Sequence, residues 1–124
     1  MFQYYNVYGR GITMNSDFLS LIRESEALNS DVFSLIRLLL LSSIASVGKD
    51  GVTYRELKAA LGVSDGALFT NLSVLEKMGY VSSEEISLEG KKLKSYRITQ
   101  EGLLAWERIR NWLKKFVECG GEKQ

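Results

Sequence analysis

"VTYRELKAALGVSDGALFTNLSVLEKMGYV", Val52 to Val81, reads as two helices joined by a tight turn. Thr53 followed by Glu56 has the spacing of a capping box. There, the threonine hydroxyl and the glutamate carboxylate satisfy two backbone N–H groups that a helix start leaves without partners. Leu57, Ala60 and Leu61 give this first helix an apolar side. Gly62 then turns the chain, and Ser64 caps the next helix. Leu68, Leu72, Leu75 and Met78 recur at three- and four-residue spacing, with Val74 beside them. That is the buried stripe of an amphipathic helix over Ser64–Met78, stopped by Gly79. Two helices about a Leu-Gly-Val turn make a helix–turn–helix.

The other face of the second helix carries Asp65, Gly66, Ala67, Phe69, Thr70, Asn71 and Ser73. It is small and polar except for one phenylalanine, and its charge is weak. Asp65 and Glu76 against Lys77 leave a net of −1 between Ser64 and Met78.

Upstream, a helix is predicted over about Val32 to Val47, capped by Asn29 or Ser30. Phe33, Ile36, Leu40, Ile44 and Val47 form its core stripe. Leu35, Leu38, Leu39 and Leu41 widen that stripe until little polar surface remains, so the helix is expected to be covered on most sides. Before it, Ser16 caps a helix with Phe18, Leu21, Ile22 and Ser25 on one face. Residues 1–15 hold four aromatics in their first eight positions. They read as an arm that packs either on the core or on a partner subunit.

Downstream, two strands are expected, at about Tyr80–Ser87 and Leu93–Thr99, around a polar "LEGKK" turn. Val81 and Ile86 lie five apart, the wrong parity for one strand face, so a bulge or a shorter strand is expected. Thr99 then caps a helix from about Gln100 to Cys119. Leu103, Trp106, Arg110, Leu113 and Val117 are its predicted main stripe. Leu104, Ile109, Trp112 and Phe116 make a second apolar face that points to burial against another chain.

The totals exclude several classes of function. The chain has 124 residues, 45% hydrophobic and 25% charged, which fits one globular domain. No apolar run is long enough for a membrane span, and no signal-peptide pattern opens the sequence, so a cytoplasmic location and no membrane partner are expected. There is one cysteine, Cys119, and no histidine. An internal disulfide, a metal centre and the commonest general acid–base side chain are therefore not expected. An enzyme, a cofactor and catalytic residues are likewise not expected.

At these residues the chain resembles winged-helix transcriptional regulators of the MarR/ArsR-like group. "FSLIRLLLLSSIA" is similar to the first core helix of such a domain, and Val52–Val81 to its helix–turn–helix. "SLEGKKLKSYRITQEG" is similar to its wing, closing with the group's tyrosine, threonine and glycine. The resemblance covers about Val32 to Gly102. The "SDGALFTNLSVLEKMGYV" segment is particularly similar to a subgroup found in prokaryotes, including archaea.

The resemblance implies an α+β, mostly α, winged helix-turn-helix fold with an extra N-terminal helix and a long C-terminal helix. Residues 1–15 would be the arm and residues 16–124 the domain, with about 100–119 as the dimerisation helix. It implies a homodimer that binds double-stranded DNA and regulates transcription. The recognition helix at about 64–78 would enter the major groove, and a wing at about 84–97 would lie on the backbone or minor groove. The DNA-binding residues would be Arg55, Lys58, Ser64, Gly66, Phe69, Thr70, Asn71 and Ser73, with Lys91, Lys92, Lys94 and Arg97 on the wing. Thr70 and Asn71 suit base edges, and Phe69 suits either thymine methyls or packing under the wing. Trp106, Ile109, Trp112, Leu113 and Phe116 would form the dimer interface. The weak charge of the recognition helix keeps a second reading open, a winged-helix module that binds protein through the same face.

Overall fold

The computed structural model describes residues 16–119; the aromatic arm lies outside them. The elements are α1 (Ser16–Glu24), α2 (Leu35–Val47), β1 (Val52–Thr53), α3 (Tyr54–Leu61), α4 (Asp65–Lys77), β2 (Val81–Leu88), β3 (Lys91–Ile98) and α5 (Gln100–Cys119). Single 3-10 turns lie at Ser25–Ala27, Ser30–Val32 and Gly48–Asp50. This is the expected mostly helical α+β architecture. The described chain divides into two compact units, residues 29–109, and residues 16–28 with 110–119.

In the larger unit a three-stranded antiparallel sheet has the order β1-β3-β2. β3 is central, so neighbouring Ser95 and Tyr96 are both buried although they face opposite sides of the sheet. Leu40, Leu41, Ile44, Leu57, Leu68, Leu72, Leu75 and Val81 are buried in the same unit, each removal from water being worth ~2 kcal/mol. Of the stripe expected on α4, Leu68, Leu72 and Leu75 are therefore buried, while Val74 and the capping Met78 are half-buried.

The helix–turn–helix is built as its sequence dictates. Thr53 Oγ1 accepts from Glu56 N at 3.1 Å, and Glu56 Oε1 accepts from Thr53 N at 2.9 Å. Gly62 closes α3 in the left-handed conformation, φ 65°. Ser64 Oγ accepts from Ala67 N at 3.2 Å and starts α4. The N–H of Thr53 holds the Glu56 carboxyl below its ordinary range. A lowered folded-state value stabilises above the unfolded glutamate value of about 4.3, and that contribution is lost as pH falls through the folded value. Glu56→Ala is thus expected to cost about 1 kcal/mol at pH 7 and distinctly less at pH 3. Denaturant titrations at the two pH values check it, and an equal cost at both would remove the carboxylate from the cap.

Helix α2 differs from expectation at its start. Asn29 does cap, accepting from Asp31 N, but what it caps is only the 3-10 turn. The α-helix begins at Leu35, capped by Ser34, whose hydroxyl accepts from Arg37 N. Phe33 therefore precedes the helix. Nor is α2 covered all round, because Leu35 is 75% exposed and Leu39 is also exposed.

The hairpin is longer and more regular than predicted. The strands pair in one unbroken register from Val81↔Ile98 to Leu88↔Lys91, with no bulge and no shortening. Glu89 and Gly90 both have positive φ, 52° and 77°, which is the two-residue type I′ turn that matches strand twist. The parity conflict resolves by a change of face: Val81 lies with Tyr96 and Ile98, whereas Ile86 pairs with Leu93 on the opposite side.

Helix α5 has the predicted bounds, but its buried face is not the predicted stripe. Gly102 and Ile109 are its buried residues, while Leu103 is exposed and Val117 is 71% exposed. Gly102 sits against the turn after α4. A Cβ built there would lie 2.0 Å from the Tyr80 carbonyl oxygen. Thr99 fixes this approach: its N–H donates to Tyr80 O at 3.0 Å, its hydroxyl donates to Gly79 O at 2.6 Å, and Gly102 N donates to that hydroxyl at 3.0 Å.

In the smaller unit, Trp112 Nε1 donates to Leu21 O at 2.9 Å. Trp112 stacks on Phe116 with centroids 5.1 Å apart, and Phe116 meets Phe18 at 6.1 Å. Lys115 pairs with Glu24 at 3.3 Å. Aromatics that the sequence assigned to a partner chain thus pack against the protein's own α1.

Candidate nucleic-acid interface

The exposed side of α4 begins at its N-terminus. Ser64, Asp65, Gly66, Phe69 and Thr70 are exposed, while Asn71 and Ser73 are half-buried. Phe69, at 59% exposure, is not packed under the hairpin. Nothing lies within 4 Å of where a Cβ at Gly66 would be, so this turn of helix is open to close approach.

Asp65 is not the free acid it seems in the sequence. Its carboxylate pairs with Lys58 of α3 at 2.8 Å, and the Tyr54 hydroxyl lies 3.2 Å from its Oδ1. Lys58 holds the Asp65 carboxyl below its usual range. Burial first, and then Asp65, raise the Tyr54 phenol. The three side chains tie α3 to the entry of α4, so Lys58 spends its charge inside this clasp. Arg55 is exposed on the same helix.

Asn71 is held at both ends. Its Oδ1 accepts from Arg37 Nε at 2.9 Å, and its Nδ2 donates to Ala67 O at 2.7 Å. These bonds fix the orientation of its amide and leave one N–H and one oxygen lone pair for a further contact.

The hairpin splits its four cations by strand alternation. Lys92 and Lys94 share a face with Ser83 and Tyr96. Ser83 Oγ donates to Glu76 Oε2 at 2.7 Å, so this is the face on the α4 side. Lys94 Nζ sits 5.8 Å from the Tyr96 ring centroid, and Lys92 is 3.8 Å from Glu85. Lys91 and Arg97 lie on the other face, where Arg97 pairs with Glu84 at 3.0 Å. All four cations are exposed.

The family described as "Winged helix DNA-binding domain" matches residues 36–117, from α2 through most of α5. The chain belongs to this winged-helix family. Solved structures of similar fold include a transcriptional regulator homologue from Pyrococcus horikoshii OT3 (TM-score 0.67, 15% identity, covering 84% of this chain and 96% of that one). The MepR–DNA complex of S. aureus is similar at TM-score 0.64 and 13% identity, covering 85% and 82%. A PadR family transcriptional regulator from Eggerthella lenta DSM 2243 is similar at TM-score 0.56 and 22% identity, covering 83% and 84%. At these identities the likeness is one of fold. No curated protein matches the chain by sequence.

In winged-helix terms, α3 and α4 are the helix–turn–helix and β2–β3 is the wing. The sequence missed Arg37, because a partner 34 positions from Asn71 leaves no local pattern. Its one signal was a cation in the first turn of α2, where the helix dipole favours an acid. Of the residues expected to face a partner, Ile109 is 1% exposed within the single chain and Trp112 is bonded to Leu21. Trp106 and Leu113 are half-buried, and Phe116 is exposed.

Proposed function

We propose that this winged-helix protein is a sequence-specific double-stranded DNA-binding regulator of transcription that acts as a homodimer. The observation that carries this is the exposed entry of α4 (Ser64, Gly66, Thr70), together with a wing whose Lys92–Lys94 face also carries Ser83, bonded to Glu76 at the far end of α4. A helix of this width fits the major groove N-terminus first, and a basic hairpin beside it reaches phosphates. Thr70 and Phe69 suit contact with thymine methyls and base edges, Ser64 and Gly66 suit close backbone approach, and Arg55 suits phosphate. Two copies would present two α4 helices to half-sites about one helical turn apart. Trp106, Leu113, Phe116 and neighbouring Val117 are the α5 groups left to form the dimer contact. A similar fold was solved in a complex with DNA, which supports the reading. Promoter occupancy would then block or recruit polymerase.

The test is selection of bound duplexes from a random pool, followed by titration of the selected duplex against salt. Affinity should fall steeply as salt rises. Absence of duplex binding at low salt would instead support a protein-binding module, which the exposed Phe69 favours. A second expectation follows from the α3–α4 clasp. Asp65→Asn removes an acid from the groove-facing end and frees Lys58, so affinity at low salt should rise several-fold. Weaker binding would show that the clasp is needed to hold α4 in place.

A further inference from the structure

We infer that Arg37 of α2 is the cation the recognition helix lacks: its guanidinium orients Asn71 and binds a DNA phosphate beside it. The inference rests on the DNA-binding reading above and names a phosphate-contacting and positioning residue within it.

α4 carries no Arg or Lys before Lys77, yet Arg37 delivers a guanidinium to its middle. Nε donates to Asn71 Oδ1 at 2.9 Å, and Nη1 donates to the Asp31 carbonyl at 2.7 Å. An arginine has five N–H donors, so these two bonds leave three, including both on Nη2. Among the described residues no carboxylate pairs with Arg37, in contrast to Lys58, which pairs with Asp65.

The position is also a poor one for a cation if the helix alone is considered. Arg37 stands in the first turn of α2, three residues after the Ser34 cap, where the N-terminal dipole disfavours positive charge. Local helix stability therefore does not account for it. An anion would: a planar guanidinium with free donors matches a phosphate, and the same group locks the neighbouring amide. One side chain would thus couple a contact that carries no sequence information to a residue placed to read it.

Fluorescence anisotropy on the selected duplex tests this with wild type, Arg37→Met and Arg37→Lys across a salt series, after circular dichroism melts confirm that each variant folds. Arg37→Met should bind about tenfold more weakly, with a salt slope smaller by about 0.9, the loss of one phosphate contact. Arg37→Lys should keep the slope, because charge remains. It should also relax base preference when variant duplexes are compared, because a single ammonium does not reproduce the fork that holds Asn71. Tight wild-type binding with an unchanged slope in Arg37→Met would overturn the phosphate contact while leaving the DNA reading intact. Unchanged base preference in Arg37→Lys would overturn the positioning role. A wild type that binds no duplex would remove both this inference and the reading beneath it.

Discussion

Gly102→Ala is expected to destabilise the fold by about 3 kcal/mol or more, although glycine to alanine inside a helix ordinarily stabilises by up to about 1 kcal/mol. The reversal of sign comes from one distance. The new Cβ would stand 2.0 Å from the Tyr80 carbonyl oxygen and 2.9 Å from Ile98 Cδ1. The first neighbour is backbone, so it yields only if the turn after α4 moves. Moving it breaks the Thr99 bonds to Tyr80 O and Gly79 O, which join the start of α5 to the end of α4. Chemical denaturation should show a midpoint shift with little change in slope. The control is Gly66→Ala on α4, where a Cβ meets nothing within 4 Å. That variant should be at least as stable as wild type and should bind duplex DNA more weakly, because the added methyl occupies the approach surface. A Gly102→Ala protein as stable as wild type would mean that the helix start slides freely past Tyr80.

Lys92→Ala with Lys94→Ala is expected to lower affinity about a hundredfold at low salt and to reduce the salt slope by about 1.8, twice the 0.9 per phosphate contact. Lys91→Ala should change the slope by less than about 0.5 on the same scale. The asymmetry follows from register. Lys92 and Lys94 share a face with Ser83, which bonds to Glu76 of α4, whereas Lys91 points away. The loss should be uniform across duplex sequences, since these contacts are to backbone. The reverse pattern, a large effect of Lys91 alone, would put the other face of the wing on DNA. No slope change in either variant would take the wing out of the interface.

The helix–turn–helix was legible because its signals are local: the Thr53–Glu56 pair, the Ser64 cap and the Leu68–Leu72–Leu75 stripe each act within four residues. The start of α2 was less legible because Asn29 and Ser34 are both competent caps, and both are used, on different kinds of helix. The hairpin length was misread because Glu89 adopts a positive φ that its side chain does not advertise. The buried face of α5 was misread because hydrophobic counting gives Gly102 no weight, and the absence of a side chain is what lets it pack. At the candidate interface, residue types were legible and pairings were not. Asp65 read as excess acid until Lys58 stood beside it, and Asn71 read as a free amide until Arg37 held it.

The sheet's third strand has a kinetic consequence for the wing. β1 pairs only with Ser95 and Tyr96, so from Lys94 to the turn β2 and β3 have, among the described residues, no strand partner but each other. A two-stranded ribbon in water is marginal by itself, and its cross-strand apolar clasp is the single pair Ile86 and Leu93. The amides of this outer ribbon are therefore expected to exchange with solvent through local openings that leave Tyr96, Thr53 and the helices closed. A nucleic acid seated on Lys92 and Lys94 would have to quench that breathing. Part of its binding energy would then go into ordering the ribbon, and slowed exchange there would report occupancy without any probe on the DNA.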